Sequence, residues 1–141
     1  MASQEAVKRL EVLDREECLS LLGTRTVGRL AYCAHVGARI EVVNFIVDRG
    51  EVVVRMQVGS KSVAIARGSS IALEADCLDE ESATGWDVTI VGPATWVDDP
   101  AELARLDGLL RCWAPGHRPH FARIRPAHVF GRRLFVPAAD E

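Results

Sequence analysis

Val42-Val43-Asn44-Phe45-Ile46-Val47-Asp48-Arg49-Gly50-Glu51-Val52-Val53-Val54-Arg55-Met56 is a pair of strands and the turn between them, written end to end. Successive side chains of a strand point to opposite faces, so Val43, Phe45 and Val47 share one face and Val42, Asn44 and Ile46 the other. Asp48-Arg49-Gly50-Glu51 is the hairpin turn, with glycine where the backbone turns back, and Val52–Met56 returns antiparallel. The first strand begins near Arg39. Gln57-Val58-Gly59-Ser60-Lys61 follows the second without a break. An arginine at a strand end, a glycine, a hydroxyl and a lysine therefore fall within a few residues. That combination offers positive charge and several hydrogen-bond donors, which suits a phosphate group. Ser60 can also cap a short helix through Ala66, whose first-turn N–H groups would add donors.

The rest of the chain repeats the β pattern. Gly28-Arg29-Leu30-Ala31-Tyr32-Cys33 begins a strand, and Ser70–Cys77 alternates Ile71, Leu73, Ala75 and Cys77 against Ala72, Glu74 and Asp76. A polar loop is expected at 79–85, then a long strand over 86–97 interrupted at Gly92-Pro93, where a bulge or sharp bend is expected. Phe121–Arg125 and Val129–Phe135 read as the last two strands. Two helices are signalled by their caps. Asp14 with Glu17 opens one that ends at Gly23; Asp99, Pro100 and Glu102 open another reaching about Leu110, with Leu103, Leu106 and Leu110 inward. Six or more antiparallel strands with short helices favour closure into a barrel, which removes exposed sheet edges. Residues 1–10 read as a flexible lead-in, 11–136 as one domain and 137–141 as a tail.

Composition narrows the classes. A net charge of −3, with Lys8 and Lys61 the only lysines, does not give the broad cationic field of a nucleic-acid or anionic-membrane binder. No apolar run approaches a membrane span. Met1–Glu5 lacks a secretory profile, so a cytoplasmic location is expected. Cys18, Cys33, Cys77 and Cys112 are irregularly spaced and are expected to be free thiols. His117 and His120 lie three apart without a convergent third ligand, and the acidic run Asp76–Glu81 lacks calcium-loop spacing, so no metal site is expected. No Ser–His–Asp arrangement announces nucleophilic catalysis, and no catalytic residue is assigned. Glycine-rich dinucleotide and P-loop motifs are absent. Trp86 and Trp96 are expected to pack against the sheet.

Taken in order, Gly28-Arg29-Leu30-Ala31, Val43-Asn44-Phe45, Arg55-x3-Gly59-Ser60-Lys61, Gly85-Trp86-Asp87-Val88, Asp99-Pro100 and Trp113-x-Pro115-Gly116-His117-Arg118 resemble the pyridoxamine 5′-phosphate oxidase-like family. Phe121-x-Arg123-Ile124-x-Pro126 and Gly131-Arg132-Arg133 complete the set, and the resemblance covers roughly residues 11–136. It implies a mainly β fold, a six-stranded antiparallel split β-barrel with short flanking helices. It also implies a homodimer holding two flavin mononucleotide (FMN) cofactors at the subunit interface. Arg55, Ser60 and Lys61 would hold the phosphate, with Met56 beside them. Val43, Asn44 and Phe45 would lie along the flavin ring, and Trp113 and Arg118 would close over it from the partner subunit. Two positions depart from the family pattern. Met56 stands where many relatives carry a threonine, exchanging an O–H donor for an apolar contact, and Glu41-Val42 stands where a proline is frequent. The expected activity is an FMN-dependent oxidoreductase acting on a small molecule. The alternatives are a reductase using the deazaflavin F420, and a non-catalytic flavin- or haem-binding protein.

Overall fold

The computed structural model describes residues 7–57, 64–65, 67–116 and 118–138. Its strands are β1 (Arg9–Val12), β2 (Val27–Ala34), β3 (Gly37–Asp48), β4 (Glu51–Met56), β5 (Ser70–Asp79), β6 (Thr84–Trp96), β7 (His120–Ile124) and β8 (His128–Phe135). Helix α1 spans Arg15–Leu22, and α2 spans Pro100–Leu109. The hydrogen-bonded order is β1-β8-β6-β5-β2-β3-β4-β7, and β7 pairs again with β6. That last pairing closes β6-β5-β2-β3-β4-β7 into a six-stranded antiparallel barrel, with β8 and β1 extending from its side.

Closure depends on β6 changing partners. Up to Pro93 it pairs with β5, and from Ala94 to Trp96 it pairs with β7. The bend falls at Gly92-Pro93, where the sequence interrupts the strand. A Cβ on Gly92 would run into the carbonyl oxygen of Arg125, so only glycine permits this approach. The Pro93 carbonyl accepts the Arg125 N–H at 3.1 Å, tying the bend to the end of β7.

Inward-facing residues of the barrel strands, among them Leu30, Phe45, Val54, Met56, Leu73, Ile90 and Ile124, are fully buried in one apolar core. The tight β3–β4 turn places Arg49 at φ 53° and Gly50 at φ 79°, the pattern of a two-residue hairpin loop. Both helices are capped as their sequences predict. Asp14 accepts the Glu17 N–H at 2.8 Å, and Asp99 accepts the Glu102 N–H at 3.0 Å. Helix α1 contributes buried Cys18 and Leu22 to the core. Helix α2 lies outside the barrel wall, where Leu106 and Leu110 join Val53 and Phe121 in a second apolar cluster.

Two local features differ from the sequence expectation. Arg9 and Leu10 belong to β1 rather than to a flexible lead-in, because β8 supplies the pairing edge that so short a segment cannot signal by itself. The loop at 79–85 contracts to a hairpin turn at 80–83, where Asp79 Oδ1 accepts the N–H groups of Glu81 (3.0 Å) and Ser82 (3.3 Å). The helix expected from Ser60 to Ala66 lies largely outside the described residues, with Ala64 and Ile65 helical.

Part of the outer face of the sheet is uncovered among the described residues. Leu10, Val12, Ile40, Val42, Leu78 and Phe130 are all more than half exposed there. Amid them Arg29 reaches Glu74 at 3.2 Å and Asp76 at 3.1 Å. Burial, and next the neighbouring Asp76 carboxylate, push the Glu74 carboxyl up to about 7. Among the described residues no helix is long and apolar enough to cross a membrane.

Gly131 of β8 sits where a Cβ would run into the Cys18 sulfur of α1. Gly131→Ala is therefore expected to cost about 1–3 kcal/mol by overpacking. Combining it with Cys18→Ala should recover part of that loss, with a coupling of at least about 0.5 kcal/mol in a denaturation double-mutant cycle.

Candidate functional site

Arg55 occupies the last outward-facing position of β4. Alternation sends Val53 and Arg55 towards α2, and Val54 and Met56 into the barrel. The Arg55 side chain is 17% exposed. Its Nε–H donates to the Arg118 carbonyl at 2.7 Å and Nη1 to the Leu110 carbonyl at 3.0 Å. Nη2 donates to Asp107 Oδ1 at 2.7 Å. The guanidinium carbon also lies 4.8 Å from the centre of the Phe121 ring, a cation–π arrangement. One side chain thus joins the barrel wall, the end of α2 and the loop that follows it.

A cavity of about 330 Å³ opens beside this arginine, lined by Val42, Val43, Asn44, Arg55, Cys112 and Arg118 among others. A second cavity of about 270 Å³ shares Arg55, Cys112 and Arg118 and adds Arg111. Three arginines therefore line two adjoining spaces. Arg111 is exposed and makes no ion pair among the described residues. Apolar surface comes from β3, and Asn44 closes the corner. Its Oδ1 accepts the Trp113 backbone N–H at 2.8 Å, and its amide nitrogen donates to the Thr26 carbonyl at 3.3 Å. Asn44 thereby pins the loop after α2, leaving the Trp113 side chain 77% exposed at the rim. Arg118 Nη1 donates to the Ala114 and Pro115 carbonyls, at 3.1 and 2.7 Å, and curls the same loop.

Helix α2 is held against the barrel by an ion-pair network. Arg105 grips Asp48 with both terminal nitrogens, at 3.0 and 2.8 Å, and also reaches Glu102 at 2.7 Å. Arg123 adds a bond to Asp48 at 2.8 Å. The hydrogen bonds from Arg105, more than those from Arg123, hold the Asp48 carboxyl well below the usual carboxylate range. This clamp locates α2, and with it Asp107 and the Leu110 carbonyl that meet Arg55.

The structure brings Val43, Asn44, Arg55 and Arg118 to one cavity. Trp113 lines a neighbouring groove together with Phe45. The Phe45 side chain itself is fully buried in the barrel core. Met56, expected beside the phosphate-binding arginine, instead buries its side chain inside the barrel, because adjacent strand residues face opposite ways. Ser60 and Lys61 lie outside the described residues. Trp113 and Arg118, expected to close over a partner's cofactor, stand beside the Asn44 and Arg55 of their own chain. Asp107, Arg111, Cys112 and Glu41 also belong to this region. They carry no motif. Only helix spacing hints at Asp107, one residue past inward-facing Leu106.

Residues 14–133 match the sequence profile of the pyridoxamine 5′-phosphate oxidase family. An uncharacterised protein of Mycobacterium tuberculosis is 33% identical over 138 residues, which cover 94% of this chain and 91% of that protein. A provisionally assigned pyridoxamine 5′-phosphate oxidase of Corynebacterium glutamicum superposes with a TM-score of 0.77 at 28% identity, covering 92% of this chain and all (100%) of that one. An FAD-binding protein of Mycobacterium smegmatis superposes with a TM-score of 0.67 at 29% identity, covering 89% and 98%. The chain belongs to the pyridoxamine 5′-phosphate oxidase family, and its fold is consistent with a flavin-binding, oxidoreductase-like protein.

Because the folded carboxyl of Asp48 titrates below its ordinary value of 3.8, its contribution to stability is present above that value and is lost as pH falls through the lower one. Asp48→Asn should accordingly lower the melting temperature most near neutral pH. The gap to the unsubstituted protein should narrow progressively below about pH 4 in thermal melts.

Proposed function

We propose that this protein binds FMN in the cavity beside Arg55 and acts as a flavin-dependent oxidoreductase on a small molecule. The observation that carries the reading is the grouping of Arg55, Arg111 and Arg118 around two adjoining cavities, one of which is also lined by Glu41, Val42, Val43 and Asn44 of β3. The Asp107 carboxylate rests on Arg55, which supports the reading that this fork suits anionic oxygen. The residue set therefore suits a phosphorylated, partly apolar ligand. Arg55 and Arg118 would offset the phosphate charge, joined by Ser60 and Lys61 on the sequence pattern alone. Val42 and Val43 would wall the ring, and Asn44 would hold the Trp113 loop in place over it. The flavin, when bound, supplies the redox chemistry, and the protein supplies position and exclusion of water.

The same reading includes a homodimer. Val42 both borders the cavity and stands 71% exposed on the uncovered sheet face beside Ile40. A second copy on that face would cover apolar surface and complete the cavity rim at once. FAD is a second reading, supported by the neighbouring cavity at Arg111 and by the FAD-binding relative from M. smegmatis.

The absorption spectrum of the freshly purified protein distinguishes flavin, F420, haem and an empty site; a haem or F420 spectrum overturns the assignment. Arg55→Ala should weaken FMN binding by about tenfold or more, the scale of one charge-assisted hydrogen bond, with riboflavin affected far less. Equal losses for both ligands would remove the phosphate from the argument. Val42→Glu should shift the protein to monomer in analytical ultracentrifugation and lower FMN affinity with it. A Val42→Glu dimer of undiminished affinity would contradict the interface.

A further inference from the structure

We propose that Asp107 tunes phosphate affinity as an internal counter-ion, competing with the ligand for the charge of Arg55. The inference rests on the phosphate reading above. An arginine carries five N–H groups, and each of the three nitrogens of Arg55 already serves one acceptor. Every two-pronged edge of the fork therefore contains an engaged nitrogen, so an incoming phosphate meets a guanidinium that is partly satisfied and partly neutralised.

The three acceptors differ in kind. The carbonyls of Leu110 and Arg118 belong to the main chain, are uncharged, and keep the guanidinium plane in place. Asp107 is anionic, sits on the solvent side of α2 with its side chain 64% exposed, and makes no other side-chain bond among the described residues. It can release Arg55 by a rotamer change without opening the core. Asp48 stands in contrast, with its side chain 11% exposed and gripped by two arginines, so it cannot yield in that way. Asp107 is absent from the walls of both cavities, so it acts on a ligand through Arg55 rather than by touching it.

Its role is thus that of a positioning and affinity-setting residue. While the ion pair stands, it cancels charge that a phosphate would otherwise use. Removing the carboxylate leaves the two carbonyls to hold the fork and frees the charge. A residue whose purpose was only to brace Arg55 would have the opposite effect.

The test titrates ligand-free protein and its Asp107→Asn and Asp107→Ala variants with FMN and with riboflavin, following flavin fluorescence. Both variants should bind FMN roughly three- to tenfold more tightly, the scale of a partly buried charged hydrogen bond. Riboflavin affinity should change by less than about twofold, because it carries no charge for the freed guanidinium to attract. FMN affinity that is unchanged or weaker in both variants overturns the proposal, and so does equal tightening towards riboflavin. The unsubstituted protein is measured first. If it binds riboflavin as well as FMN, or binds neither, the phosphate reading itself fails, and the proposal fails with it.

Discussion

The region beside β3 and β4 is organised by a single guanidinium. Arg55 projects from a strand whose other face is sealed in the barrel, and its three nitrogens are tied to the end of α2 and to the loop beyond it. Leu110 and Asp107 belong to the end of α2, and Arg118 to the loop beyond. Hydrogen bonds to a charged group with little access to water are stronger than neutral ones and expensive to leave unmade. The same bonds that assemble the cavity also draw on the charge with which it would bind an anion. In the proposed site, structural support and ligand affinity would be coupled through one side chain.

That coupling requires α2 to be held independently. Asp48, Arg105, Arg123 and Glu102 perform this task at the opposite end of the helix, where the β3–β4 turn and β7 converge. The cluster of Leu106, Leu110, Val53 and Phe121 seats the helix between the two. Apolar packing and ion pairs together hold the helix against the barrel. Phe121 also lies beneath the Arg55 guanidinium, so β7 contributes to the helix seat and the arginine at once.

Much of the barrel was readable from local pattern. The hairpin of β3 and β4, the two helix N-caps and the break at Gly92-Pro93 appear where period-two alternation and turn chemistry put them. Segment β1 was not readable, because four residues carry no usable period and its pairing is with the far end of the chain. Arg55 was legible as a candidate anion-binding residue because an arginine at a strand end, followed by glycine, serine and lysine, is a local signal. Arg111 and Cys112 were not, since they reach the cavities only after α2 folds back across the barrel, and Asp107 was not, since it meets Arg55 only in that arrangement. Met56 shows the limit of adjacency along the chain. Its neighbour faces α2, and its own side chain is core.

The sequence by itself determined the strands other than β1, the caps, the antiparallel class and the family, because these follow from short-range stereochemistry and from residues at set spacings. Tertiary structure alone decided which side chains share the cavity and how much of their charge is already committed. The physical reason is that hydrogen-bond partners such as Asp107, Leu110 and Arg118, each more than fifty residues from Arg55, are chosen by barrel closure and helix seating, not by position along the chain.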